Sequence, residues 1–333
     1  MIRFALVATS GVMIAARLGV AQATPPATAP AERVPTASAG QMHGRVVNAA
    51  TKEPIAKYGS AAQIGVPIGL LLANAMFLLM TSLTTNEQFL KWGWRIPFLP
   101  SIALVALGFY IRNRVSESPV FAEMKATQRE ARAPLAELWA NHKRSVLLAA
   151  GTFLGNNMVG YIFLSFLLSY GTNTLKLPRQ SMLGVVIAGS FCWLVTILFT
   201  GWIADRVGAR KTFIVGYALM MLWSIPFMMI VDSRNLTAIV CATLVLTATL
   251  GFTYGGQAAL FAGLFPARVR YSGASMAYAF GAILGGGFAP LVASYLVALT
   301  GSGAAVGAYM VVATAVSLGA SAAIKKRDMV GFA

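Results

Sequence analysis

The sequence predicts an all-α, polytopic membrane protein, a helical bundle of about eight transmembrane helices. Of its 333 residues 57% are hydrophobic and only 11% charged, with a mean hydropathy of +0.70; soluble domains carry about 25% charged residues. Stretches apolar enough to cross about 30 Å of hydrocarbon at 1.5 Å per residue recur about eight times. None alternates with period two, so each span must satisfy its own backbone hydrogen bonds as a helix and not as a barrel strand.

The expected spans are 61–82, 96–111, 146–170, 182–203, 212–231, 236–261, 275–299 and 304–323. The second is short, and Trp92 and Trp94 complete it at the interface. Small residues such as Gly281, Gly285, Gly286 and Gly287 suit helices that pack closely in lipid. Orientation follows from the basic residues. Alternate connections on one side (112–144, 205–211, 266–272 and the tail) hold fifteen Lys and Arg, against five on the other: Lys91, Arg95, Lys176, Arg179 and Arg234. The richer side is expected to be cytoplasmic, with the C-terminus inside. The expected organisation is two helices over 60–111, a cytoplasmic loop over 112–145, a six-helix bundle over 146–325 and a tail over 326–333.

The first 59 residues break the pattern. Arg3, the apolar run Phe4–Ala16 and the small-residue site Ala21–Ala23 make residues 1–23 resemble a secretory signal. Residues 24–59 read as a disordered, foreign linker, with Pro25, Pro26, Pro30 and Pro35 among Ala and Thr. The stretch from Gly44 to Ile55 resembles the opening strand of a small extracellular β-sandwich module. A working signal would start the next span outside, against the charge count. Prefix and body therefore predict opposite topologies.

The net charge of +16 falls mostly in turns between apolar runs, which points to an anionic bilayer surface as the partner and away from nucleic acid. Cys192 and Cys241 lie inside apolar runs with no pairing signature, so neither a disulfide framework nor a cysteine zinc site is expected. His43 and His142 stand alone. With no nucleophile–base pair, phosphate loop or acid cluster, no catalytic residue, metal or cofactor is expected and the chain does not read as an enzyme.

The most informative turn holds Gly201, Asp205, Arg206, Gly208, Arg210 and Lys211. Gly201 permits close helix approach and Gly208 a reversal with positive φ. Asp205 can face the positive N-terminus of a neighbouring helix, while Arg210 and Lys211 sit at headgroup level. A contact of that kind, made in one state and broken in another, is a gate; the plainer alternative is a basic turn with an incidental acid.

This turn follows the pattern G-x-x-x-D-R-x-G-x-R/K-R/K and resembles the major facilitator superfamily. Four further segments resemble its metabolite:proton symporters, relatives of shikimate, α-ketoglutarate and proline/betaine permeases. They run from Gln63 to Gly69, Gly93 to Phe98, Glu117 to Phe121 and Phe265 to Gly273, extended by Gly285 to Pro290. The resemblance covers about residues 60–325 and implies a partial major facilitator fold, equivalent to the fifth to twelfth helices. The family's first four helices have no counterpart, so a truncated form is expected, with self-association completing the missing half. The family's acid two residues before Phe265 is Gly263 here. Glu117, Arg268 and Arg270 are the remaining gate candidates, Arg268 and Arg270 meeting Asp205 or lipid phosphate.

Solute contacts are sought among polar side chains within spans, which are costly in lipid and tend to face a cavity. Asn156, Asn157 and Tyr161 share one span; Tyr254 and Gln257 share another, beside Gly255 and Gly256, where a loosened helix suits solute binding. The alternative for all five is interhelical hydrogen bonding. None of the ten carboxylates lies mid-span, so the proton-linked acid that the resemblance implies has no residue here. The expected function is proton-coupled symport of a small organic acid or betaine-type metabolite in a bacterial inner membrane. Opposed to it stands an inactive fragment or membrane-embedded binding partner.

Overall fold

The computed structural model describes residues 55–114, 134–325 and 328–329. The signal-like prefix, most of the linker and Glu117 lie outside the described residues. Apart from the single turn Leu167–Ser169, the α-helices of the described residues run in the order α1 (Ile55–Gln63), α2 (Gly65–Leu83), α3 (Asn86–Lys91), α4 (Pro100–Arg114), α5 (Pro134–Asn141), α6 (Lys143–Tyr161), α7 (Arg179–Val207), α8 (Ala209–Asp232), α9 (Leu236–Tyr254), α10 (Gln257–Leu264), α11 (Arg270–Gly281), α12 (Ala289–Thr300) and α13 (Ala304–Ala323). Among the described residues, eight helical segments are long and apolar enough to span a membrane: Gly59–Leu83, Gly93–Asn113, Lys143–Thr174, Arg179–Val207, Ala209–Asp232, Leu236–Leu264, Arg270–Thr300 and Ala304–Ala323. Each contains or overlaps one expected span.

The connections follow local chemistry. Thr85 and Gln88 form a reciprocal capping box that starts α3. A short 3-10 turn over Gly93–Phe98 carries Pro97 and leads into α4, with the Arg95 guanidinium 5.3 Å from the Trp94 ring centroid. Gly208 holds φ +98 between α7 and α8, a conformation that a side chain would strain. Asn235 accepts the backbone N–H of Ala238 and starts α9. Phe265 and Pro266 end α10, and Gly301, with φ +70, ends α12 in a left-handed cap.

Two features depart from the expected organisation. Residues 55–59, read as linker, belong to α1, whose amino end is fixed by a side chain from α7, as described below. Pro134–Asn141, read as loop, forms α5. Its Leu138 is fully buried, Trp139 packs on Phe280 at 6.4 Å between ring centroids, and Glu137 pairs with Arg268 at 2.6 Å.

The packed core belongs to α6–α13, where Phe153, Phe163, Phe213, Tyr217 and Phe227 are all but fully enclosed. Close backbone approach makes this packing: a Cβ on Gly155 would stand 2.9 Å from the Ala313 carbonyl oxygen of α13. In contrast α4 is exposed along its length, and its side chains Ile102, Leu104, Val105 and Phe109 make the apolar surface that lipid requires. Three stretches wind as π-helix, Ile162–Phe166, Tyr170–Thr174 and Ala282–Gly287, a form concentrated at functional sites.

Candidate functional site

The helix spanning Leu236–Leu264 is interrupted at Gly255 and Gly256, between α9 and α10. Glycine is needed here because a Cβ on Gly255 would lie 2.5 Å from the Ile197 carbonyl oxygen and 3.0 Å from the Gly201 nitrogen of α7. Around this break converge side chains from three elements. Tyr254 is buried and packs on Trp193 of α7, at 5.5 Å between ring centroids, and on Phe153 of α6, at 6.4 Å. Phe153 in turn packs on Tyr278 of α11 at 4.3 Å, and Phe163 of the π-helical stretch after α6 contacts Trp193 at 6.5 Å.

Four buried polar atoms here lack a hydrogen-bond partner among the described residues: Asn157 Nδ2, Trp193 Nε1, Thr200 Oγ1 and Gln257 Oε1. Their residues are 8%, 2%, 0% and 2% exposed. Leaving one such atom unpaired costs about 1–3 kcal/mol, and buried groups are nearly always satisfied, so four in one neighbourhood call for an explanation. Asn156, by contrast, is satisfied: its Nδ2 donates to Thr253 Oγ1, joining α6 to α9. Tyr161 is 43% exposed and lies against Gly286 of the π-helical stretch after α11.

The turn between α7 and α8 links two more helices by their ends. Asp205, 4% exposed, accepts the backbone N–H of Ala56 at Oδ1 and of Lys57 at Oδ2, both at 2.9 Å. These are free donors in the first turn of α1, and a carboxylate there also meets the positive end of the helix dipole. Gly201, one turn earlier, lets α1 approach: a Cβ there would lie 2.7 Å from Ser60 Cβ. Arg210 works at the other polarity, donating from Nε and Nη2 to the Ser321 and Ala322 carbonyls at 3.3 and 2.7 Å, at the C-terminus of α13. Arg206 stacks over the Trp202 ring, 3.5 Å from its centroid. Lys211 is exposed.

At the far end of α8, Asp232 mirrors this arrangement. Its Oδ2 accepts the Gly303 N–H at 2.8 Å, capping α13, and its Oδ1 accepts the Tyr170 hydroxyl at 2.7 Å. Helix α8 thus grips α13 at both ends, and Asp232 also holds the π-helical end of the α6 span.

The sequence is similar to that of known proteins. A family model for the Major Facilitator Superfamily matches residues 52–290. The chain belongs to the Major Facilitator Superfamily. Within this superfamily it is 34% identical over 279 residues to the inner membrane metabolite transport protein YhjE of Escherichia coli (strain K12), covering 81% of this chain and 63% of that protein. It is 36% identical over 256 residues to the shikimate transporter of the same strain, covering 75% and 58%. Against the proline/betaine transporter of Salmonella typhimurium it is 27% identical over 248 residues, covering 72% and 49%. The chain spans less than two thirds of the length of each of these relatives.

Within this superfamily member the gate candidates separate. Asp205 and Arg210 both engage helix ends, Asp205 in the manner its position suggests. Arg268, expected to meet Asp205 or lipid phosphate, pairs with Glu137, because α5 brings that carboxylate against the start of α11. Arg270 donates from Nε to the Phe265 carbonyl at 3.3 Å. Sequence reasoning missed Trp193 and Thr200, which lie in a largely apolar run; a tryptophan in the interior of a span, with an N–H to satisfy, was the available signal. It also missed Asp232, whose place one residue after an expected span was the clue.

Proposed function

We propose that this chain carries the solute-binding bundle of a secondary transporter for a small organic metabolite in a bacterial inner membrane, with its C-terminus cytoplasmic. The observation that supports this best is the set of unpaired buried polar atoms around the break at Gly255 and Gly256. A helix interrupted at membrane depth is tolerated where it lines a cavity or site. Asn157, Gln257, Tyr254 and the exposed edge of Tyr161 are the proposed solute contacts; Asn156 positions α6 against α9 through Thr253.

The contacts of Asp205 and Arg210 with the ends of α1 and α13 are proposed as the gate. They are made on one side of the bundle, on the most basic face, and breaking them would free α1 and α13 to move with the solute path. Protons are the proposed co-substrate, on the family resemblance; Asp205 and Asp232 stand at span ends and are occupied in helix caps.

Purified chain in lipid nanodiscs, titrated with organic acids and betaines, tests the reading. Saturable binding that is weakened about tenfold by Asn157→Leu is the expected result. Absence of saturable binding for every compound would favour an inactive membrane protein.

A further inference from the structure

The outward side of α7 ends in a cation that the bundle does not use. Val195, Phe199, Trp202 and Arg206 follow one another at spacings of four, three and four, so they share one helical face, and all four are exposed. The opposite face carries Ile197, Thr200, Ala204 and Asp205 into the bundle. Phe199 stacks on Trp202, with 6.0 Å between ring centroids and 23° between planes. The Arg206 guanidinium carbon stands 3.5 Å over the Trp202 ring. A guanidinium that close lies flat on the indole, because an N–H pointed at the ring would hold the carbon farther off. The stacking therefore fixes the cation while its N–H edges face away from the ring. Among the described residues no hydrogen bond or ion pair takes those donors. The adjacent acid, Asp205, is turned inward and occupied at the start of α1.

We propose that Trp202 and Arg206 form a binding site for one anionic glycerophospholipid. Arg206 is the second-last residue of the span Arg179–Val207, so its guanidinium stands where the headgroups begin. Phe199 lies about 10 Å deeper, at 1.5 Å per residue. A phosphodiester accepts two N–H bonds from the guanidinium edge. The glycerol region lies against Trp202, at the depth where an indole is favoured, and an acyl chain runs along Phe199 and Val195. Charge selects the headgroup. The turn 205–211 holds Arg206, Arg210 and Lys211 against a single carboxylate, Asp205, so a lipid with net negative charge is attracted, whereas a choline headgroup brings its own cation into that field. A diffuse basic face would attract anionic lipid without depending on any one residue. The stacked guanidinium makes the binding depend on two.

Native mass spectrometry of the full chain in detergent, titrated with phosphatidylglycerol or with phosphatidylcholine, reads the affinity of the first lipid bound. Phosphatidylglycerol should bind about tenfold more tightly than phosphatidylcholine. Arg206→Gln should weaken phosphatidylglycerol about tenfold, the loss of one charge-assisted contact. Trp202→Leu keeps an apolar side chain but removes the ring that holds the guanidinium, and should weaken it about threefold. Lys143→Gln removes the same charge from an exposed position at the start of α6 and should leave the first phosphatidylglycerol unchanged. Inorganic phosphate should not displace the lipid, since it has no acyl chain to lie on Phe199. Equal affinity for the two lipids, or equal losses in Arg206→Gln and Lys143→Gln, would overturn the proposal. Displacement by inorganic phosphate would make this a site for a free anion and overturn the lipid assignment. The comparison of the two lipids needs no variant, so a variant that fails to fold does not rescue the claim. None of these outcomes bears on the solute site.

Discussion

Replacing Asp205 with Asn isolates the electrostatic part of the contact between α7 and α1. The substitution keeps shape and one acceptor oxygen, but removes the charge and turns an NH2 group toward one of the two backbone N–H donors, Ala56 or Lys57. Both bonds are 2.9 Å and Asp205 is 4% exposed, so solvent screens the interaction weakly. An N-terminal cap contributes about 0.5–2 kcal/mol, and a carboxylate at a partly buried helix N-terminus up to about 2 kcal/mol. The two scales describe overlapping physics and are not summed, so about 1–2 kcal/mol is the expected loss. That corresponds to about 5–30-fold faster opening of the first turn of α1. Hydrogen exchange read by mass spectrometry on the peptide spanning 55–63 measures it, with the α9 peptide as an unaffected reference. Unchanged exchange over 55–63 in Asp205→Asn, with the protein folded, would refute the capping argument and leave Asp205 as a plain turn residue.

Other perturbations follow from the same geometry. Gly281→Leu should cost about 1–3 kcal/mol by overpacking, because a Cβ added there would stand 3.0 Å from the Ala150 carbonyl oxygen; a lowered melting temperature checks it. Tyr170→Phe removes the hydroxyl that donates to Asp232 and should lower stability by about 0.5–1.5 kcal/mol, with exchange rising at the 170–174 end of the α6 span. Reporter fusions should place Lys125 in the cytoplasm and Asp232 on the opposite face, from the fifteen-to-five distribution of basic residues; a cytoplasmic signal at Asp232 would reverse the proposed orientation.

The spans were legible because hydropathy over about 20 residues is set by the solvent, and the bilayer leaves few alternatives to a helix. What the sequence concealed depends on tertiary contacts. Helix α5 lies in a charged stretch too short for a clear period, and its anchors are Leu138, Trp139 and the Glu137–Arg268 pair, which exist only once α11 is in place. Residues 55–59 looked like linker because the stabilising group for α1 is Asp205, almost 150 positions away. The three π-helical stretches have no marker in composition. The polar side chains of the spans could be picked out, yet sequence could not separate Asn156, satisfied by Thr253, from Asn157, unpaired one residue later. Trp193 and Thr200 were hidden for the opposite reason: in an apolar run every residue reads as packing until its neighbours are known.

The central claim is that the break at Gly255 and Gly256 is where solute is held. Hydrogen exchange of the full chain in nanodiscs, with and without a saturating organic acid or betaine that the titration shows to bind, tests it most directly. Protection should appear in the peptides covering 251–260, 153–161 and 190–201, which carry Gln257, Asn157, Trp193 and Thr200, and should be absent from α2 and α4. Protection confined to any other region, or none at a concentration where binding is saturated, would contradict the account.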